Sequence, residues 1–137
     1  MEPRVEELLS EYYGAFNRGD ASAMLDLLTI DVIHEPSQGA VRRGKAAFAD
    51  FLEHMNRCYK ETVHDPVFLA SSDGHRAAAE FWLEGRYLET DAGLPVAHGQ
   101  AYRLRVGAFF EWRDGKIARV SNHYNLADWL AQVGGAG

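Results

Sequence analysis

Cysteine is nearly absent: the chain of 137 residues has one, Cys58. A single thiol excludes an internal disulfide framework and fits a reducing compartment. No apolar run approaches the ~20 residues needed to span a bilayer. The N-terminus, Met1-Glu2-Pro3-Arg4 followed by Glu6 and Glu7, lacks the basic-then-apolar pattern of a signal peptide. The expected location is cytoplasmic, with no membrane partner. Excess positive charge is missing as well. Lys and Arg number 14 against 20 Asp and Glu, a net charge of -6, which argues against nucleic-acid binding. His-Glu-x-x-His, paired cysteines, clustered carboxylates, a Gly-rich phosphate loop and a Ser elbow are all missing. The sequence therefore predicts no metal and no cofactor.

Hydrophobic residues make up 47% and charged residues 25%, an ordinary balance for a globular domain. The length suits one domain able to bury a core. With no internal linker, that domain is expected over residues 1–133, and the Gly-rich residues 134–137 read as a flexible tail.

The first third reads as helical. Val5, Leu8, Leu9, Tyr12, Tyr13 and Phe16 form an apolar stripe at helical spacing. Gly19 suits a left-handed C-terminal cap and Asp20 suits the N-cap of a second helix. A short strand over residues 31–35 is ended by Pro36. A third helix over residues 45–59 places Phe48, Phe51, Leu52, Met55 and Tyr59 on one face. The remainder reads as long antiparallel strands over 62–71, 76–90, 100–112 and 116–124. Ser72-Asp73-Gly74 and Asp114-Gly115 mark tight turns, and Gly107 suggests a bulge. Leu126, Trp129, Leu130 and Val133 predict a short closing helix. Helices followed by a meander give an α+β class. Long strands curl, and helices covering the curl leave a cone, a natural small-molecule pocket. Along 76–83 both registers are largely apolar, which predicts a homodimer through the sheet.

Several segments carry a resemblance. They are Tyr12-Tyr13-Gly14-Ala15-Phe16-Asn17-Arg18-Gly19-Asp20, the strand with His34-Glu35-Pro36, the helix start Gly44-Lys45-Ala46-Ala47-Phe48, and Asp114-Gly115-Lys116-Ile117. In this order and spacing they resemble the NTF2-like superfamily of ketosteroid isomerases and SnoaL-type cyclases. Asn125-Leu126 to Gln132-Val133-Gly134 is most similar to the SnoaL-like branch. The resemblance implies an NTF2-like cone: a curved antiparallel β-sheet with about three N-terminal helices enclosing a pocket, and a short C-terminal helix. It also implies a cofactor-independent enzyme that moves a proton next to a carbonyl on a small apolar substrate. The alternative is a non-catalytic ligand-binding or protein-interaction domain.

Carried over residue by residue, the isomerase base falls on Glu35, immediately before Pro36, and the isomerase tyrosine on Tyr12. Ala108 stands where the isomerase has a protonated acid, and Asn125 where SnoaL-type cyclases have an acid/base aspartate. His34 is a second candidate base, since imidazole titrates near neutrality. Alternation alone leaves open which of His34 and Glu35 faces inward. Phe16, Met55, Tyr59, Glu80, Tyr102, His123 and Asn125 are the expected substrate-binding residues. The face shared by His123 and Asn125 is expected to line the pocket. Glu80 has a second reading, as a cross-strand partner of Arg103 or Arg105.

Overall fold

The structure, a computed structural model, describes residues 3–134. Helix α1 (Pro3–Arg18) buries Val5, Leu9, Tyr12 and Tyr13, the stripe that its spacing predicts. Gly19 takes φ 71°, a conformation that costs glycine little. Asp20 then caps α2 (Ala21–Asp26), its side chain accepting from Ala23 N–H. Strand β1 (Leu28–Pro36) and the two-residue β2 (Arg42–Arg43) precede α3 (Lys45–Cys58). Four long strands follow: β3 (Tyr59–Ala70), β4 (Arg76–Tyr87), β5 (Gln100–Arg113) and β6 (Lys116–His123). Helix α4 (Leu126–Gly134) closes the chain. Gly134, expected in the tail, ends this helix, and residues 135–137 lie outside the described residues. No described helix is long and apolar enough to cross a membrane.

The six strands form one curved, unclosed sheet in the order β2-β1-β6-β5-β4-β3. From β3 to β6 it is the expected antiparallel meander. The β1–β6 pair is parallel, with His34 opposite Val120 and Glu35 opposite Ser121, so the sheet is mixed rather than wholly antiparallel. A hairpin forces antiparallel pairing, but β1 and β6 are separated by most of the chain, which leaves their direction free.

Alternation sorts the two faces. On β5, Tyr102, Leu104, Val106, Ala108 and Phe110 point inward and are buried. The inward row of β4 is Ala77, Ala79, Phe81, Leu83, Gly85 and Tyr87. Its outward row is less apolar than expected, because Glu80 pairs with Arg105 at 3.1 Å and Glu84 with Arg103 at 3.9 Å. Trp82 lies beneath both guanidinium groups, at 3.9 and 4.3 Å from ring centroid to Cζ.

The turn at Asp114-Gly115 has φ of 53° and 75°, the pattern of a type I′ hairpin. Gly107 does not bulge: Glu80, Gly107 and His123 align in unbroken register. The register shifts instead between His64 and Val67, where Asp65 has φ 52° ahead of Pro66, and between Glu111 and Trp112. Two amide side chains occupy strand edges. Asn17 Nδ2 donates to Val63 O at 3.0 Å while its Oδ1 accepts from Val63 N–H at 2.8 Å. Gln132 does the same to Arg103, accepting at 2.8 Å and donating at 2.9 Å. Each amide supplies the pair of bonds that a neighbouring strand would give, and so blunts an edge open to further pairing.

Candidate functional site

The parallel pairing of β1 with β6 decides the question that alternation left open. His34 stands opposite the inward Val120 and turns into the core, 1% exposed. Its ring lies 4.8 Å from that of Phe48 and 4.4 Å from that of Phe51. Neither ring nitrogen has a hydrogen-bond partner among the described residues. Burial, with Arg42 adding to it, lowers the His34 pKa from 6.5 to about 4, so the imidazole is neutral near pH 7. Glu35 points the other way. It meets the Arg119 guanidinium at 2.9 Å, and Arg119 also binds Glu111. Its side chain is 41% exposed. The residue that matches the isomerase base is therefore an ion-paired surface carboxylate on the outer face.

A different carboxylate occupies the inner face. Glu61, Gly85 and Tyr102 form one row across β3, β4 and β5. The Tyr102 ring lies over Gly85, where an added Cβ would sit 2.4 Å from the ring. Only glycine leaves that space, and the ring crosses β4 to bring its hydroxyl to Glu61 Oε2 at 2.7 Å. Burial pushes the Glu61 carboxyl above its ordinary range, outweighing the opposing effect of the Tyr102 hydrogen bond. Tyr102 and Tyr124 are both raised, by burial first and by the nearby Glu61 charge second. Glu61 lies between two inward residues, Tyr59 and the buried Val63, and that parity was the sequence signal for it.

The other expected site residues divide between the two faces. Tyr12 is buried against Tyr13 and Phe110, and burial holds its hydroxyl protonated. Phe16 packs on the core and Met55 is half-buried on α3. Tyr59 stacks on Tyr87 and donates to Asp91 Oδ2 at 2.7 Å. Trp129 of α4 meets Tyr59, Tyr87 and Tyr102 edge-on, so the closing helix lies over this end of the inner face. Glu80 is outside, paired with Arg105 as its second reading had it. His123 is exposed beside Phe109 on the outer face. Asn125 is an exposed cap, with Oδ1 accepting from Asp128 N–H at the start of α4. The expected His123/Asn125 lining is therefore reversed. Asn122 shares the inner row of Ala108, because the register that carries Val120 inward carries Asn122 with it.

Tyr59, Glu61, Leu83, Asn122 and Tyr124 each keep partial exposure, although they sit on or beside the covered face. Two surface clefts, of about 440 and 240 Å³, lie at the opposite end of the sheet, near the Gly74 and Gly115 turns. They contain neither His34 nor Glu61, and the chemically distinctive groups are those of the inner face.

Comparison with known proteins agrees with this architecture. A protein from Pseudomonas putida described as a "putative polyketide cyclase" is 57% identical, with a TM-score of 0.91, covering 93% of this chain and 96% of that one. A Xanthomonas campestris protein of the same description is 51% identical, TM-score 0.91, over 94% and 96% of the two chains. A curated relative, the uncharacterized protein YesE of Bacillus subtilis, is 31% identical over 91 residues. That match spans 64% of this chain and 56% of the relative's length. The family model described as SnoaL-like domain matches residues 9–120, and the chain belongs to the SnoaL-like domain family, with the NTF2-like fold.

Proposed function

We propose that the chain is an acid–base enzyme that moves a proton next to a carbonyl in a small apolar molecule held against the inner face. The observation that carries this reading is the half-buried Glu61 carboxyl on the inner face, anchored by the Tyr102 hydroxyl at 2.7 Å and raised by desolvation. A carboxylate so placed is a stronger base than one in water. Glu61 takes the proton from the carbon beside the carbonyl, and the C–H electron pair moves onto the oxygen as an enolate. Glu61 then returns the proton, to the same carbon or to a conjugated one. Tyr102 holds the carboxyl in place, and the surrounding aromatic rings exclude water. The similarity to proteins described as a "putative polyketide cyclase" supports a carbonyl substrate. We further propose that two copies pair through the outer face of the sheet, across Phe109, Trp82 and Ala78.

The test is hydrogen exchange from heavy water into a panel of apolar enones that first raise the melting temperature. Wild type is expected to catalyse exchange. Glu61→Gln is expected to keep the thermal shift and lose exchange at least ~100-fold, the usual scale for a positioned base. Undiminished exchange in Glu61→Gln removes Glu61 from the role. A wild type that binds without exchanging supports the second reading, a non-catalytic ligand-binding domain, for which the absence of a carboxylate at Ala108 and Asn125 speaks.

A further inference from the structure

Outside the inner face, one cluster brings together three different donor types. His54 and Cys58, four residues apart on one face of α3, meet Asp91 from the β4–β5 loop. One ligand atom of each lies within 4.8 Å of the other two. We propose that His54, Cys58 and Asp91 bind a divalent transition metal of the zinc class at the rim between α3 and this loop. The sequence hides the site because its third member is 37 residues from His54, far from any zinc-motif spacing.

The donor set suits the ion. Thiolate, imidazole and carboxylate are all zinc ligands, and three protein donors plus water make a four-coordinate open site. Metal–ligand bonds of about 2.0–2.3 Å put tetrahedral donors roughly 3.3–3.8 Å apart, so closing from within 4.8 Å needs about 1 Å of side-chain motion. His54 Nε2 already faces Asp91 Oδ1 at 2.9 Å. The other Asp91 oxygen is fixed by Tyr59, the kind of outer partner that orients a ligating carboxylate. The loop is tied to the end of the helix: Leu88 N–H and Glu89 N–H donate to Cys58 O at 2.8 and 3.3 Å, and Asp91 N–H donates to Tyr87 Oη at 3.0 Å. Cys58 is 2% exposed, while the His54 and Asp91 side chains are 38% and 20% exposed. This leaves the outer coordination position to solvent.

The proton balance is simple. Arg57 donates to His54 Nδ1 at 3.3 Å, which puts the imidazole proton on Nε2. On binding, that proton moves to Nδ1, Arg57 swings into solvent, and Nε2 takes the metal. The Cys58 thiol gives up its proton to water, so one proton leaves per metal bound.

The test is a cobalt(II) titration of the full chain near neutral pH. The expected result is one equivalent bound, intense tetrahedral visible bands, and a thiolate-to-cobalt charge-transfer band displaced by zinc. Cys58 is the sole cysteine, so the charge-transfer band reports that residue. Cys58→Ser is expected to abolish it, and His54→Gln and Asp91→Asn to weaken binding at least tenfold. Wild type alone decides the matter even if a variant fails to fold, since zinc is expected to raise its melting temperature. A wild type with no charge-transfer band in excess cobalt overturns the site. So does a band of unchanged affinity in both His54→Gln and Asp91→Asn, which would mark a thiol acting alone.

Discussion

Replacing His34 with leucine should remove a pH dependence from the stability of the protein. The folded-state pKa is about 4 against an ordinary 6.5. Between those values the unfolded chain takes up a proton that the folded chain refuses, so stability falls as pH falls from 6.5 toward 4. Each pH unit in that window costs about 1.4 kcal/mol, a total of ~3 kcal/mol. That is a large share of the ~5–15 kcal/mol typical of a domain. The penalty is absent above pH 6.5 and complete below about 4. His34→Leu has no proton to bind and keeps an apolar group against Phe48 and Phe51. The assay is urea unfolding of both proteins across the window, read as the difference between them. Other titrating groups, Glu61 included, cancel in that difference. The variant should gain on wild type by ~3 kcal/mol from neutral pH to pH 4. A difference that stays flat refutes the reasoning, because it means that water reaches the ring and the imidazole charges freely.

Two further substitutions test the framework around the site. Gly85→Ala puts a Cβ 2.4 Å from the Tyr102 ring. It should destabilise the protein by ~1–3 kcal/mol through overpacking and release Glu61 from its tyrosine. An unchanged calorimetric melting temperature would mean that the ring has room to shift. Asn17→Ala deletes both amide bonds to Val63 and should cost ~1–2 kcal/mol, with faster hydrogen exchange at the Val63 amide. Unaltered exchange at that amide would deny Asn17 its role at the strand edge.

Local chemistry made much of the fold legible. Gly19 and Asp20 announce a helix end and a helix start because few other residues satisfy those backbone positions, and Asp114-Gly115 announces its hairpin in the same way. Effects set by distant pairing were not legible. Alternation says that His34 and Glu35 oppose each other, but the phase comes from β6, and nothing near residue 34 encodes it. The bulge at Asp65-Pro66 and the regular register at Gly107 depend on what β4 offers opposite them. In the site, Tyr102 is an expected residue that the structure places on the inner face, whereas its partner Glu61 is not among the expected residues. Glu61 shares the parity of Tyr59 and Val63, but parity alone does not set it apart from other strand carboxylates until Gly85 and Tyr102 are seen beside it. By resemblance Asn125 falls where SnoaL-type cyclases have their aspartate, yet its location one residue ahead of a helix gives it a capping role.

The parallel seam between β1 and β6 sets an order of events during synthesis. Glu35 and the Arg119 that receives it are 84 residues apart. At roughly 5–20 residues per second, a ribosome needs on the order of ten seconds to make that stretch. Through that interval β1 waits with one flank unzipped, and the nascent chain cannot close its sheet until its final hairpin leaves the exit tunnel. Truncations that stop short of β6 should therefore yield sticky, chaperone-dependent fragments rather than smaller working domains.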